Sequence, residues 1–404
     1  MRIALYSDEA AVNPFGVPQL AANSVIYPSQ SGSANMNRDQ PDRINCHYIR
    51  RYSLLVKIMV LAGILSYLLG AGAALSRAAT YYVDYSSGSD GNSGTSTSAP
   101  FKHAPGGAGC TGNCAATGLV AGDKVIFKKG VVYYGGLIAA NSGGLAVAVG
   151  SGGNITSAGV LTNAGSNFVA SGVKPATDYV YIYHSKASQT GTWVESTGLF
   201  KVASVDAATQ LTLQNFTGKA YSGGNMTFSV VRPIHYSSDS SWGSGNATIS
   251  GDLNNNGTCT DSGDLTTVFN LNNKSYLRFE DLSFGCTKPN GGSALGALNC
   301  SGGGCNYLEF VNCLFSDIGE SGVSTWPSNY NVFSGNTVQR FNYIALDGGG
   351  LSSLHENNTI LGDNINSIRS SCFGARFSIS RFNYIKDVSG SYVGDHADSI
   401  GFID

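Results

Sequence analysis

The feature of this sequence that most constrains its fold is a repeat in the last third of the chain. Short apolar and aromatic runs, Asn-rich corners and Gly-rich gaps recur every 22 to 31 residues. The closing apolar residues of five successive units are spaced 31, 23, 22 and 25 residues apart. The five units are Phe279–Phe284, Phe310–Phe315, Phe333–Val338, His355–Ile360 and Ser380–Ile385.

A period near 22 residues is typical of a rung made of three short strands joined by turns. One rung cannot bury its inward face alone, so successive rungs stack and their strands pair in parallel. Asn336, Asn358 and Asn383 occupy the same point of three rungs. We expect their amides to form a hydrogen-bonded ladder at a corner where these residues adopt left-handed backbone. The alternative is a β-sandwich with Asn-containing turns.

Composition favours an all-β protein over a helical one. Only 12% of the residues are charged, whereas the chain contains 53 Gly, 21 Tyr and 18 Phe. Turn-forming residues are therefore plentiful, while Glu and Lys, which favour helices, are scarce. The formal net charge of −2 offers no basic surface to a phosphate backbone, so no nucleic-acid partner is expected.

The N-terminal region is predicted to be a targeting segment and not part of the folded domain. Residues 1–57 show no sustained period and are predicted to be a non-globular extension that ends in a basic stretch. Ile58–Leu75 carries no charge, and small residues follow it. This order predicts a secretory signal over 58–79, with an uncleaved membrane anchor as the alternative. The predicted location is therefore extracellular, either secreted or at the cell surface.

Cysteine usage agrees with export. Eight of the nine cysteines follow the apolar run. Cys110 and Cys114, like Cys300 and Cys305, flank Gly-rich turns where a disulfide would close a small loop in an oxidising compartment. A zinc site is the alternative for these spacings, although no paired His motif accompanies them.

The start of the predicted mature chain resembles a known superfamily. Tyr81–Gly94, Ala99–Lys102 and Ala121–Gly130 resemble the opening of secreted right-handed parallel β-helix proteins of the pectate-lyase-like superfamily, also called the pectin lyase fold. The resemblance covers residues 80–144 and 233–404. It implies an all-β fold, a right-handed single-stranded parallel β-helix.

The order of these segments divides the mature chain into three parts. Residues 80–144 are predicted to form the N-terminal cap and first rung, and residues 233–404 the later rungs. Residues 145–232 interrupt the coil and contain alternating strand candidates between Gly, Asn and Asp turns. They are predicted to form an inserted small antiparallel β-barrel or sandwich. The chain ends in mid-pattern without a polar cap, so we expect a β-helix truncated at its C-terminus.

Function follows partly from geometry and partly from the resemblance. Stacked rungs repeat the same chemical group about every 4.8 Å, which suits a repeating saccharide. The resemblance implies a polysaccharide substrate, here expected to contain uronate, cleaved by β-elimination. That reaction needs a neutralised carboxylate, often bound to Ca²⁺, and a base. We therefore expect a polysaccharide lyase assisted by calcium.

Candidate site residues cluster in the last rungs. The densest polar segment, Gly394–Ile400, resembles the His-x-Asp-Gly-Ile segment of polysaccharide-active β-helices, with Ser399 in place of Gly. The predicted catalytic residues are His396, Asp398, Lys386 and Arg376. The predicted substrate-binding residues are Asp347, His355 and Arg369, and the predicted calcium ligands are Asp347, Asp395 and Asp398.

Two other functions compete with the lyase. A glycoside hydrolase would use two carboxylates, for example Asp347 and Asp398. A noncatalytic carbohydrate-binding surface adhesin would need neither a base nor a metal.

Overall fold

The computed structural model describes residues 78–139, 143–175, 177–183, 197–289, 296–300, 304–325, 328–342, 344–347, 353–361, 371–375, 379–386 and 401–402. All of them belong to one unit, Ala74–Asp404. The predicted extension and the apolar segment Ile58–Leu75 lie outside the described residues. Among the residues that are described, no helix is both long and apolar enough to cross a membrane.

Three parallel sheets wind into a coil, to which each rung contributes one strand per sheet. The first sheet contains, in spatial order, β1 (Thr80–Val83), β2 (Lys124–Lys129), β11 (Ile234–Gly243), β14 (Leu277–Glu280), β17 (Glu309–Val311), β20 (Val332–Ser334), β23 (Leu354–Glu356) and β26 (Ile379–Arg381). The second sheet contains β3 (Val132–Tyr134), β12 (Thr248–Ser250), β15 (Ser283–Thr287), β18 (Leu314–Ile318), β21 (Thr337–Phe341), β24 (Thr359–Leu361) and β27 (Tyr384–Lys386). The third sheet contains β4 (Leu137–Ile138), β13 (Phe269–Asn270), β16 (Gly296–Asn299), β19 (Ser321–Ser324), β22 (Ile344–Asp347), β25 (Ser371–Ala375) and β28 (Gly401–Phe402).

Strand register confirms the repeat found in the sequence. The closing apolar residues of the five units pair in one line across the second sheet, in the order Phe284, Phe315, Val338, Ile360 and Ile385. Parallel pairing in this register brings like residues into contact from rung to rung. The predicted fold class, a right-handed single-stranded parallel β-helix with an inserted small β domain, is thereby confirmed.

Aromatic rings stack along the inside of the first sheet. The centroids of Tyr236 and Phe279 lie 5.4 Å apart, those of Phe279 and Phe310 5.2 Å, and those of Phe310 and Phe333 5.1 Å. All four side chains are at most 1% exposed. Burial of these rings adds apolar contact between neighbouring rungs.

The predicted asparagine ladder is present at the corner between the first and second sheets. Nδ2 of Asn336 donates to Oδ1 of Asn358 at 3.0 Å, and Nδ2 of Asn358 donates to Oδ1 of Asn383 at 2.9 Å. The prediction of left-handed backbone at these residues was wrong. The positive φ falls one residue earlier, where the chain turns, at Asp281, Asn312, Gly335, Asn357 and Phe382.

The segment between the first and second rungs folds as a closed six-stranded antiparallel barrel. Its strands are β5 (Leu145–Ile155), β6 (Val160–Thr162), β7 (Tyr179–Tyr183), β8 (Gly198–Ala207), β9 (Gln210–Leu213) and β10 (Tyr221–Arg232). The barrel has its own buried core, in which Phe168 and Phe228 are both fully buried with ring centroids 6.0 Å apart.

The barrel packs against the outer side of the first sheet. Tyr181 of the barrel is 2% exposed and lies in one cluster with Val332 and Leu354 of the coil. The hydroxyl of Ser229 donates to that of Tyr307 at 3.3 Å. A long insertion of this kind is tolerated because its two ends are close and loop-closure entropy grows slowly with length.

Among the described residues, three disulfides link segments that are close in sequence. The predicted bridges Cys110–Cys114 and Cys300–Cys305 are both present. The first lies at the short helix α1 (Gly112–Ala116). The third bridge, Cys259–Cys286, ties a long loop to the next rung and was not predicted, because 27 residues separate its cysteines and no local turn indicates the pairing.

Replacing Asn358 tests the ladder. Its amide is 1% exposed, donates to the carbonyl of Phe333 at 2.9 Å and is bonded to the amides above and below. Asn358→Ala should lower the free energy of unfolding by about 2 kcal/mol or more, because it leaves buried partners unsatisfied. Thermal or urea unfolding measures the change. Asn357→Gly is the control, since Gly tolerates the φ of 55° found there and should change stability by no more than about 0.5 kcal/mol. Equal stability of wild type and Asn358→Ala would contradict a stabilising ladder.

Candidate functional site

The described members of the predicted site do not come together. His355 is fully buried and stacks on Phe333 inside the coil, with ring centroids 4.7 Å apart. Burial lowers the pKa of His355 to about 3, so the ring is neutral and continues the aromatic stack. The prediction that His355 contacts substrate was therefore wrong.

Asp347 and Lys386 lie on different sheets. Asp347 ends β22 in the third sheet and is 5% exposed. Its main-chain oxygen accepts a hydrogen bond from the hydroxyl of Thr325 at 2.7 Å. Lys386 ends β27 in the second sheet and is exposed. The remaining predicted site residues lie outside the described residues, namely Arg369, Arg376, Asp395, His396 and Asp398.

Two observations among the described residues concern calcium. No three His, Cys, Asp or Glu side chains among them converge as metal ligands. One loop, Asp252–Gly257, begins with the D-x-N-x-N-G pattern of an EF-hand. In the structure, Asp252 accepts hydrogen bonds from the N–H groups of Asn256 and Gly257 at 3.3 and 2.9 Å. Asp261 accepts from Nδ2 of Asn254 at 2.7 Å, so donors of the loop itself occupy both carboxylates.

An open cleft of about 780 Å³ lies between the barrel and the last rungs of the coil. We call it the barrel–coil cleft. Its barrel wall consists of Thr197, Gly198, Leu199, Phe200, Lys201, Gln214, Asn215, Thr217, Gly218 and Lys219. Its coil wall consists of Glu356, Asn357, Arg381 and Phe382. Polar and charged side chains line both walls, together with two phenylalanines.

An ion pair fixes the coil wall and connects it to the barrel. Nε and Nη2 of Arg381 donate to Oε2 of Glu356 at 3.0 and 2.7 Å. Nη2 also donates to the main-chain oxygen of Thr197 in the barrel at 2.8 Å. Ser334 donates to the other carboxylate oxygen of Glu356 at 3.2 Å. Arg381 is therefore held in one orientation by groups from both walls.

Sequence analysis missed this cleft. Its lining residues on the barrel come from strands and turns without a chemical motif, and they face the coil only because the barrel docks there. Arg381 and Phe382 lie in the fifth repeat unit, so their position at a corner was predictable. Their position opposite Lys201 and Lys219 was not.

A second polar cluster lies buried where the barrel meets the coil. The guanidinium of Arg278 lies over the ring of Tyr179, 4.4 Å from its centroid. It donates to Glu280 at 2.9 Å through Nη2 and to Glu309 at 2.9 Å through Nη1. Nε2 of His235 lies 2.9 Å from the carboxylate of Glu280. This cluster connects the barrel to the coil. Because Arg278 and Glu309 are almost fully buried, it offers no open surface to a polymer.

The two carboxylates of this cluster have opposite pKa shifts. Burial raises the pKa of Glu309 to about 7, although Arg278 opposes the shift. Burial would also raise the pKa of Glu280, but hydrogen bonds from His235 and Arg278 outweigh it and hold that pKa well below its usual range. Burial lowers the pKa of His235 to about 4 against the opposing effect of Glu280. At neutral pH, Arg278 is therefore balanced mainly by Glu280.

Comparisons with known proteins find similarity at the level of solved structures. No family model matches the chain, and no curated protein matches it. The GH136 lacto-N-biosidase from Eubacterium ramulus is 10% identical with a TM-score of 0.34, over 84% of this chain and 60% of that one. XylC in complex with xylose is 12% identical with a TM-score of 0.31, over 78% of this chain and 64% of that one.

A phage protein is also similar. The Gp54 tailspike of Acinetobacter baumannii bacteriophage AP22, in complex with a capsular saccharide, is 14% identical with a TM-score of 0.25, over 64% of this chain and 47% of that one. The chain thus spans less than two thirds of the length of each of these proteins. The activities and ligands that these names state are those of the named proteins.

Glu309→Gln tests the buried cluster through its pH dependence. A pKa of about 7 instead of 4.5 means that stability is full below about pH 4.5 and is lost as pH rises through about 7. Gln cannot ionise, so Glu309→Gln should gain on the order of 2 to 3 kcal/mol relative to wild type between pH 4.5 and pH 8. Melting midpoints of both proteins at about pH 4.5 and pH 8 measure this difference. The lowered pKa of His235 also makes stability depend on pH, but it is present in both proteins and cancels in the comparison.

Asp317→Asn provides the control for this comparison. Asp317 pairs with Arg340 at 2.6 Å, and hydrogen bonds from Arg340 hold its pKa below the usual range. Its carboxylate is therefore ionised at both pH values, and the variant should differ from wild type equally at each. A pH-independent difference for Glu309→Gln would show that the pKa of Glu309 is not raised in the folded protein.

Proposed function

We propose that this protein is an extracellular polysaccharide-active β-helix protein that binds its polymer in the barrel–coil cleft. The observation that carries the proposal is the cleft itself, whose two walls present polar, charged and aromatic groups over about 780 Å³. Sites of roughly 300–1,000 Å³ at the boundary of two domains are typical of ligand-binding clefts. The volume has room for more than one sugar ring, as a polymer requires.

The charges of the cleft favour an acidic polymer. Glu356 and Arg381 form an ion pair and so contribute little net charge. Among the described residues that line the cleft, Lys201, Lys219 and Arg381 are cationic and Glu356 is anionic. A uronate-containing polysaccharide matches this balance, because its carboxylates recur along the chain.

The reaction proposed for this polymer is β-elimination. A lysine facing a uronate carboxylate neutralises it, which acidifies the neighbouring C–H group that a base must deprotonate. Lys386 and Arg376 remain the proposed bases, His396 and Asp398 the proposed proton-transfer residues, and Arg369 and Asp347 the proposed substrate contacts. Asp347 and Lys386 are not among the residues that line the barrel–coil cleft, so the proposal places the cleaved bond on a part of the polymer that extends beyond the cleft. Calcium is part of the proposal, with Asp347, Asp395 and Asp398 as its candidate ligands.

Noncatalytic binding is the second candidate, and one observation favours it over hydrolysis. Glu356 is the one carboxylate among the described residues that line the cleft, and it is engaged by Arg381. A glycoside hydrolase needs a pair of carboxylates flanking the bond. Binding without cleavage needs no such pair.

Removing the two lysines of the barrel wall tests the site. Lys201→Ala combined with Lys219→Ala should weaken binding of a uronate polymer by about tenfold, since each partly exposed charge contributes up to about 1 kcal/mol. Binding to a neutral glucan should change much less. Isothermal titration calorimetry with polymers of defined length measures both.

The matched control is Lys174→Ala, which removes one exposed lysine of the barrel away from the cleft. It should leave affinity unchanged. Undiminished binding of the uronate polymer by the double variant would place the binding site elsewhere on the molecule.

Formation of an unsaturated product separates the two candidates. A lyase leaves a C=C bond conjugated to a carboxylate, which absorbs ultraviolet light. We expect the ultraviolet absorbance to rise with time when the protein acts on a uronate polymer in the presence of Ca²⁺. The rate of this rise should be lower with a chelator and lower for Lys386→Ala. Binding of the polymer with neither an absorbance change nor new reducing ends would identify a noncatalytic binding protein. New reducing ends without a rise in ultraviolet absorbance would identify a hydrolase.

A further inference from the structure

Phe382 occupies a backbone position that disfavours it. The residue lies at the corner between β26 and β27 with a φ of 57°. The equivalent corners of the four preceding rungs have φ values of 52° to 69° and carry Asp281, Asn312, Gly335 and Asn357. Gly, Asn and Asp tolerate this left-handed conformation, whereas a bulky side chain is strained in it.

Burial does not compensate for this strain. The side chain of Phe382 is 80% exposed, the highest value among the exposed large hydrophobic residues that the structure describes. Phe382 therefore loses backbone stability at the turn and gains little from the hydrophobic effect. A residue that strains the backbone and gains little from burial is explained better by function than by folding.

The position of Phe382 points to that function. The ring lies on the coil wall of the barrel–coil cleft, beside Arg381 and Asn357 and across from the barrel wall. Arg381 is fixed by Glu356 and by the main chain of Thr197, so the wall on which the ring stands is rigid. An exposed aromatic face between fixed polar groups matches the amphipathic character of a sugar ring.

We propose that Phe382 is a stacking platform for one pyranose unit of the polymer at this cleft. The C–H groups on one face of the sugar pack against the electron-rich ring, while hydroxyl or carboxylate groups at its edge meet Asn357 and Arg381. This inference rests on the proposed function. It adds that the subsite selects pyranoses whose C–H groups share one face.

Phe382→Asn separates a functional residue from a structural one. Asn is the residue that the preceding rung carries at this corner, so the variant should relieve strain and raise the melting midpoint by about 1 to 3 °C. Its affinity for the polymer should nevertheless fall about five- to tenfold, because the aromatic contact is lost. Phe382→Trp should keep the affinity within about twofold. Tyr384→Ala, which removes another exposed aromatic residue outside the cleft lining, should not change it.

The outcomes are distinct. If wild type binds neither the uronate polymer nor the neutral glucan, the proposed function fails and the platform fails with it. If wild type binds and Phe382→Asn binds equally well, only the platform is overturned. A lower melting midpoint for Phe382→Asn would show that the ring stabilises the fold. Dissociation of a dimer by this variant in analytical ultracentrifugation would identify the ring as a contact with a second copy, and would also overturn the platform.

Discussion

Register between rungs is the constraint on which the rest of this structure depends. Parallel pairing places each residue directly against its counterpart in the next rung, at about the 4.8 Å spacing of strands. Residues that pack well against their own kind suit this register, and Phe279, Phe310 and Phe333 follow one another at centroid distances of 5.2 and 5.1 Å. The same spacing suits amides, and Asn336 and Asn358 continue it at the corner with a hydrogen bond of 3.0 Å.

This constraint explains what could be predicted from the sequence and what could not. The coil was predictable because stacked rungs of similar length require apolar and corner residues at a regular spacing in the sequence. The asparagines of the ladder recur at that spacing. His355 was predicted to contact substrate because histidine often serves in functional sites, but its position in the repeat indicates a buried residue. It is the first residue of its unit, as Phe333 is of the unit before, and register therefore puts it in the aromatic stack. The cleft was not predictable, because it depends on where an insertion without a repeat docks.

Docking of the barrel requires a buried charge to be balanced. Arg278 projects from the coil, and the ring of Tyr179 in the barrel covers it. An uncompensated guanidinium there would cost several kcal/mol, so a carboxylate partner is needed for the interface to close. One guanidinium does not require two full negative charges, and the raised pKa of Glu309 with the lowered pKa of Glu280 reflects this division. The contact of Tyr179 with Arg278 therefore fixes one point of the interface between the barrel and the coil.

The fixed orientation of the barrel creates the barrel–coil cleft on an otherwise repetitive surface. A coil by itself presents similar ridges on every rung and has no single place at which a polymer must stop. The barrel supplies a second wall, with Lys201 and Lys219, opposite one pair of rungs only. The contact of Arg381 with Thr197 ties the walls together at the cleft, and the Arg278 cluster ties them at a separate point along the first sheet. Two separate attachments prevent rotation of the barrel about either one, so the width of the cleft is set by the fold before any ligand binds.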